Sequence, residues 1–252
     1  MNLKCLLLLL LLAGCQNATA SKGDVVLLGD DARLSLSSAS GVEVPSKGAS
    51  ASEVANAAAR AKHAVLVIDA ENGPLPVTRE HILIARQAGV PSLSMLVVNA
   101  AALNGLPDKA TLIDKEVAEV RQLFDKYEIK GSAVPLFFDE GGLKSILGET
   151  VALPARAPES NPSPSRKEVS GLIYLLSALE SPGVKSIRHG DTVTIWIGGQ
   201  TTNARVNSKL VIEPGGVGDI QVATEVPVSF SPGQRFLFES GGKIVAAGVV
   251  TE

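Results

Sequence analysis

Few side chains of this chain have the types and spacing that catalysis requires. The three histidines, His63, His81 and His189, are far apart, and both cysteines, Cys5 and Cys15, lie near the start of the chain. Serines are abundant, but no Gly-x-Ser-x-Gly pattern presents one of them as a nucleophile. The sequence therefore predicts no catalytic residue and no cofactor.

Asp30, Asp31 and Glu43 form the one acidic cluster that could attract a cation. A metal site would need mostly carboxylates, because histidines are few and no cysteine remains after Cys15 for a thiolate ligand or a disulfide. We therefore expect no metal ion at this cluster.

Cys15 is the residue whose context predicts a specific reaction. Lys4, an apolar run and Leu12-Ala13-Gly14-Cys15 have the order of a signal peptide that ends in a bacterial lipobox. Attachment of diacylglycerol to the thiol and cleavage before it would leave Cys15 as an acylated N-terminus. Each buried methylene would contribute about 0.8 kcal/mol to membrane attachment. The alternative is an ordinary secretory signal with an incidental cysteine.

This interpretation predicts where the signal peptide and the following linker end, and where the protein is located. Residues 1–14 are the predicted signal peptide, and residues 15–24 are a linker near the membrane. Gln16 follows the cysteine, and no aspartate stands there to retain the protein at the inner membrane. We expect a lipid-anchored protein of the bacterial cell envelope, at the outer membrane and facing the periplasm.

Composition narrows the classes of partner. A hydrophobic content of 45% fits a folded globule, and the formal net charge of -3 provides no broad basic surface for nucleic acid. We therefore expect no nucleic acid as a partner. The predicted acylation of Cys15 implies a bilayer as one partner, and we expect a protein as the other.

The elements that must position these residues alternate between strands and helices over residues 25–181. Apolar runs predict strands at 25–28, 64–69, 93–98 and 134–138, and helices are predicted at 50–62, 78–87 and 111–127. The third helix has its apolar residues on one face: Ile113, Val117, Val120, Phe124 and Tyr127. This alternation predicts an α/β domain.

The character of the chain changes after this domain. A Pro- and Ser-rich loop is expected at residues 155–165, and a last helix is expected at 166–179. Residues 182–252 predict a small all-β domain with strands at 192–197, 210–212, 220–228, 235–239 and 243–250. Trp196 is expected to point into this domain's core.

Two groups of residues resemble the elongation factor Tu family of translational GTPases. The first is similar to part of its GTPase domain and the second to part of its third, β-barrel domain. The residues are Glu71-Asn72-Gly73-Pro74, Pro76-Val77-Thr78-Arg79-Glu80-His81, Ala85-Arg86-Gln87 and Gly89-Val90-Pro91, then Pro214-Gly215, Pro232-Gly233-Gln234-Arg235-Phe236, Gly241-Gly242-Lys243 and Ala247-Gly248-Val249-Val250. The resemblance implies a P-loop-GTPase-like α/β domain followed by a barrel-like domain, with the family's second domain essentially missing. It also implies that helix 78–87 is a surface helix, where His81 is exposed or hydrogen-bonded.

The sequence departs from the family at the segments that carry its chemistry. Gly29-Asp30-Asp31-Ala32-Arg33-Leu34-Ser35 lacks the lysine and second glycine of Gly-x4-Gly-Lys-Ser/Thr, and its two carboxylates would repel phosphates. Glu43-Val44-Pro45-Ser46-Lys47 stands in place of Asp-Cys-Pro-Gly-His. Asn99-Ala100-Ala101-Ala102 replaces Asn-Lys-x-Asp, and the base-clamp loop is not intact at Asp139-Glu140-Gly141-Gly142-Leu143-Lys144. We therefore expect no cofactor-binding residue for a guanine nucleotide.

These observations favour a membrane-anchored lipoprotein with a degenerate, non-catalytic body that binds a protein. Fold resemblance suggests a decoy or immunity factor against a toxin that grips elongation factor Tu. One alternative is a GTP-binding, elongation factor-like protein with residual nucleotide binding, and another is a relic without a defined activity.

Overall fold

The computed structural model describes residues 23–153 and 164–252. Cys15, the predicted signal peptide and most of the predicted Pro- and Ser-rich loop lie outside these residues. Within them, no helix is long and apolar enough to cross a membrane.

The first domain is a parallel five-stranded sheet with helices on both faces. The sheet order is β2-β1-β3-β4-β5, and all four strand pairs are parallel. The strands are β1 (Val25–Gly29), β2 (Val42–Glu43), β3 (His63–Asp69), β4 (Ser92–Val98) and β5 (Leu136–Phe138), and the helices are α1 (Ala51–Arg60), α2 (Pro76–Gln87), α3 (Lys109–Lys126) and α4 (Asp139–Val151). The predicted α/β fold is confirmed.

The sheet is covered on both sides, and its central strands β1 and β3 are buried at every position. Val26, Leu28 and Leu66 pack in the same core as residues of α1, α2 and α3, whereas Leu27 and Val65 pack with residues of α4. Such two-sided burial is typical of parallel sheets. The predicted apolar stripe of the third helix is buried as expected.

The second domain is a closed antiparallel barrel of six strands in the order β10-β11-β6-β9-β8-β7. Closure pairs every strand with two neighbours and leaves no open sheet edge. The strands are β6 (Ser165–Leu175), β7 (Thr192–Ile197), β8 (Gln200–Val206), β9 (Val217–Ser229), β10 (Arg235–Ser240) and β11 (Lys243–Val250). The expected barrel-like domain is therefore confirmed.

The helix predicted at 166–179 is wrong, because most of this segment is strand β6. Val169, Ile173 and Leu175 point into the barrel core at alternate positions, which is the period of a strand. Gly171 lies against the Phe236 ring, where an added Cβ would approach a ring carbon to 2.7 Å. The barrel therefore begins at Ser165 and includes residues that the sequence assigned to the α/β domain.

The structure differs from the sequence prediction at two further short segments. The strand predicted at 210–212 is only an isolated bridge between Ile187 and Ile212. Conversely, residues 139–144, where the family's base-clamp loop is not intact, form the first half of α4, which begins directly after β5. These short runs carried too little periodicity to separate a strand or helix from a loop.

Trp196 does not point into the barrel, as the sequence predicted, but outward against the α/β domain. It is buried and packs with the core of that domain, and its Nε1 donates to Asn56 Oδ1 of α1 at 2.8 Å. Nearby, the backbone N–H and the hydroxyl of Ser52 donate to one carboxylate oxygen of Glu239 at 2.7 and 2.6 Å. Helix α1 is therefore fastened to the barrel.

Helix α2 is likewise a contact between the domains, so the prediction of a surface helix at 78–87 is wrong. Most of its residues are buried between the sheet and the barrel. The amide of Gln87 donates to the backbone carbonyls of Phe236 and Gly248 at 2.9 and 3.2 Å. The helix that carries part of the family resemblance therefore packs between the two domains.

Candidate functional site

The candidate site lies at the carboxyl edge of the sheet, where β1, β3 and β4 end. In open α/β sheets, ligands bind at this edge, beyond the ends of the parallel strands. Three segments meet here: the turn after Gly29, the turn after Asp69, and the segment that starts at Asn99. The turn after Gly29 is where the family binds phosphate according to the resemblance, and the segment that starts at Asn99 is where it recognises the base.

Four backbone N–H groups at the turn after β1, those of Gly29, Asp30, Ala32 and Arg33, have partners within the protein. Gly29 donates to His81 Nδ1 at 2.8 Å, and Asp30 donates to the carbonyl of Val67 at 3.0 Å. The N–H groups of Ala32 and Arg33 donate to Asp30, at 2.8 Å to its Oδ1 and at 3.0 Å to its carbonyl. These N–H groups are therefore occupied and do not form an open ring of donors.

Gly29 is needed for this arrangement of the chain. Its φ of +90° lies in the region that glycine favours, and a Cβ there would be 2.3 Å from the carbonyl oxygen of Val67. The close approach of Gly29 to β3 brings its N–H towards His81. The turn then continues as a short 3-10 helix, Asp31–Leu36.

Arg33 lies beneath this turn with only 2% of its surface exposed. Its Nη1 donates to the carbonyl of Gly29 at 3.0 Å and to Asp31 Oδ1 at 2.8 Å, and its Nη2 donates to the carbonyl of Pro45 at 3.4 Å. The guanidinium therefore joins the turn after β1 to the segment 43–47. Sequence reasoning missed this role, because the acceptors of Arg33 include a carbonyl that lies 12 residues further along the chain.

Two of the three acidic residues of this region, Asp31 and Glu43, are paired with cations, whereas Asp30 accepts from the N–H of Ala32. Asp31 also contacts Lys47 Nζ at 3.3 Å, and Glu43 Oε1 accepts a hydrogen bond of 2.6 Å from Arg60. Although burial acts in the opposite direction, hydrogen bonds from Arg33 and Lys47 lower the pKa of Asp31. Among residues 23–153 and 164–252, no group of three or more His, Cys, Asp or Glu side chains could hold a metal ion.

The histidines have different surroundings. His81 is buried, and burial together with the nearby charge of Arg33 lowers its pKa to about 3, so it remains a neutral acceptor for Gly29. His63 lies at the opposite edge of the sheet between Ser92 and Ser94, with ring nitrogen to hydroxyl distances of 2.9 and 2.8 Å. Burial lowers its pKa to about 4. His189 is exposed on the barrel.

The position of the family's base-recognition motif is occupied by a polar turn. Asn99 adopts a left-handed φ of +58°, and its amide donates to Asp69 Oδ1 at 3.1 Å. Asp69 also accepts from the Asn72 amide at 2.8 Å. Glu116 lies close by, and its pKa is raised by burial and by the charges of Asp69 and Glu119. This part of the edge is therefore acidic, and Asn99 holds the turn after β3.

The comparison with known families agrees with the fold. The model of the family described as the elongation factor Tu GTP binding domain matches residues 50–187, more than half of the chain. The match begins at Ser50, which caps α1, and extends through the first barrel strand. The turn after β1 and the segment 43–47 precede the matched residues. The chain therefore belongs to the elongation factor Tu GTP-binding domain family.

Proposed function

We propose that this chain is a membrane-anchored, non-catalytic member of its family that acts as a protein-binding module in the bacterial cell envelope. The observation that carries this proposal is the internal bonding of the turn after β1. Phosphate binding at such a turn needs free backbone N–H groups and a cation that faces the ligand. Here the N–H groups of Gly29, Asp30, Ala32 and Arg33 have acceptors within the protein.

A nucleotide would have to displace these contacts before it gained its own. Opening the charge-assisted hydrogen bonds of Arg33 alone would cost about 2–3 kcal/mol, because its buried guanidinium would lose its acceptors. The carboxylates of Asp30 and Asp31 would in addition repel the phosphates. Both effects disfavour GTP and GDP at this position.

Isothermal calorimetry of the purified chain with GDP and magnesium tests this part of the proposal. We expect no heat of binding up to millimolar nucleotide, and the sole tryptophan, Trp196, reports whether the sample is folded. A dissociation constant tighter than about 10 μM, which corresponds to about 7 kcal/mol, would instead support the GTP-binding alternative.

Anchoring through Cys15 is a separate part of the proposal and is supported by Leu12-Ala13-Gly14-Cys15. We expect labelled palmitate to be incorporated into the wild-type chain and not into Cys15→Ser, and the wild type to sediment with outer membranes. Cys5→Ser is the matched control, because that cysteine precedes the proposed cleavage site. Equal labelling of wild type and Cys15→Ser would contradict the anchor.

The protein partner is proposed from the combination of a retained family body and a closed phosphate cradle. Because α2 is buried, the partner must contact other surfaces, and the carboxyl edge exposes Phe138 with 44% of its surface accessible. A photoreactive residue at 138 should form a discrete protein adduct in cells, and one at Thr201 on the outer barrel face should not. If neither position forms an adduct, the chain does not act as a binding module at this edge.

A decoy or immunity role makes a more specific claim. Cells that carry the chain should survive a toxin that binds elongation factor Tu better than cells that lack it, and Cys15→Ser should remove this protection. Equal survival would contradict the decoy role and leave the general binding proposal to the crosslinking experiment.

A further inference from the structure

A cationic cavity lies at the amino edge of the sheet, opposite the candidate site and beside the barrel. Its volume is about 530 Å³, and it is bounded by the loops that precede β4 and β5, the end of α3 and the first residue of β10. Arg86, Lys130 and Arg235 line it together with a single carboxylate, Glu128. The rest of its wall includes apolar groups of Val90, Pro91, Leu93, Ile129, Val134 and Pro135.

The two arginines are held close together. Arg235 Nη1 donates to the backbone carbonyl of Arg86 at 3.2 Å, which fixes the guanidinium of Arg235 at the end of α2. Burial and the charge of Arg86 lower the pKa of Arg235, as expected for two neighbouring cations. Arg86 Nε is buried without a hydrogen-bond partner. An oxyanion between the arginines would relieve the repulsion between their charges.

Glu128 shows that an oxyanion fits beside Arg86. Its carboxylate forms an ion pair with Arg86 Nη2, although three quarters of the Glu128 side chain is exposed. Its φ of +59° belongs to the turn that ends α3, where the N–H groups of Glu128 and Ile129 donate to the carbonyls of Asp125 and Phe124. We read the Glu128 carboxylate as an internal substitute for an external anion.

We propose that this cavity binds a phosphate-type oxyanion between Arg86 and Arg235, with Lys130 at its rim and Glu128 as the competing internal anion. Guanidinium groups suit this ligand because they donate two parallel hydrogen bonds to phosphate oxygens. The phosphate could belong to a soluble phosphate compound or to the headgroup of an anionic phospholipid.

The lipid source rests on the proposed anchor, and the chain length allows it. Seven residues separate Cys15 from Gly23, so the eight Cα–Cα steps between them can span at most about 28 Å. β1 begins at this same edge of the sheet and lies two strands from β4, which is about 10 Å. An acylated Cys15 would therefore keep the cavity within reach of a bilayer surface.

Arginine protection tests the proposal and separates the two sources. The full chain is placed in vesicles of phosphatidylcholine, alone or with an equal part of phosphatidylglycerol, and phenylglyoxal modification is followed by peptide mass spectrometry. Slower modification of Arg86 and Arg235 with phosphatidylglycerol identifies the headgroup, and slower modification on addition of inorganic phosphate to phosphatidylcholine vesicles identifies the soluble source. We expect the modification of both arginines to slow by at least about threefold, because a guanidinium that is hydrogen-bonded to phosphate is shielded from the reagent.

Arg188, an exposed arginine on the barrel, is the internal control. Unchanged rates at Arg86 and Arg235 in all conditions, or equal protection of Arg188, would overturn the proposal, because neither result reflects a specific cavity. Flotation of the vesicles reports separately whether the chain is anchored. A chain that does not float contradicts the anchor, while the phosphate arm still decides the cavity.

Two variants test the roles of the lining residues. In Arg235→Gln, the concentration of phosphate or phosphatidylglycerol that half-protects Arg86 should rise about tenfold, because one guanidinium is lost. In Glu128→Gln, the midpoint concentration for protection of Arg86 should fall severalfold, because the side chain at 128 is then neutral and no longer competes with the anion. A merely structural Glu128 would give no gain, so an unchanged midpoint in Glu128→Gln would refute its role as the competing anion.

Discussion

Replacing Glu180 with glutamine tests how the barrel is held against α3. The Glu180 side chain is 3% exposed, and its Oε1 accepts from Lys126 Nζ at 2.6 Å. Its Oε2 accepts from the hydroxyls of Tyr174 and Ser177 at 2.6 and 2.8 Å and from the N–H of Ser177 at 3.0 Å. Despite the opposing effect of burial, these donors lower the pKa of Glu180 from 4.5 to about 2.

This pKa shift sets the magnitude and the direction of the expected effect. It corresponds to about 3 kcal/mol, which we reduce to about 2 kcal/mol because Lys126 is half-exposed and screened by water. The folded pKa lies below the unfolded one, so this stability is complete above pH 4.5 and is lost as the pH falls through about 2. Glu180→Gln should therefore be less stable at neutral pH and should approach the wild type as the pH falls.

Urea unfolding followed by Trp196 fluorescence measures this difference, because the sole tryptophan lies between the domains. Glu168→Gln on β6 is the matched control, since Glu168 is exposed and its loss should change the free energy of unfolding by less than about 0.5 kcal/mol. A Glu180→Gln variant as stable as the wild type at pH 7, or a difference that does not change with pH, would refute the reasoning.

Three further substitutions probe the packing of the molecule. Gln87→Ala should lower the free energy of unfolding by about 1–3 kcal/mol and loosen the domain contact, because two buried carbonyls lose their donor; urea unfolding checks this. Gly248→Ala should cost about 1–3 kcal/mol by the same assay, because its Cβ would lie 2.4 Å from a Phe236 ring carbon; wild-type stability would contradict this contact. Arg33→Met should speed amide hydrogen exchange in residues 43–47, because the contact with the Pro45 carbonyl is lost; unchanged exchange would show that Arg33 does not hold this segment.

The sequence predicted the α/β domain well because its strands are continuous apolar runs and α3 has a regular apolar stripe. It failed at β6, where five successive residues from Leu172 to Leu176 are mainly apolar and fit a helix as well as a strand. The distinguishing feature was Gly171, which admits the Phe236 ring and becomes meaningful only when the barrel is closed. Periodicity describes one element at a time and does not contain such contacts.

The residues of the candidate site show the same limit. The absence of a phosphate-binding lysine was visible in the sequence. The hydrogen bonds that occupy the turn after β1 were not, because they join distant positions: Gly29 with His81, and Arg33 with Pro45. Trp196 was misplaced for a related reason. An apolar side chain on a strand can face the barrel core or a neighbouring domain, and the strand pattern alone does not distinguish them.

The most direct test of the central claim follows the backbone amides of Gly29, Asp30, Ala32 and Arg33 by NMR while GDP and magnesium are added. If these N–H groups keep their internal acceptors, their resonances should stay in place up to millimolar nucleotide. Saturable shifts confined to these amides would show that the turn opens to hold phosphates, and the account of a closed cradle would then be wrong.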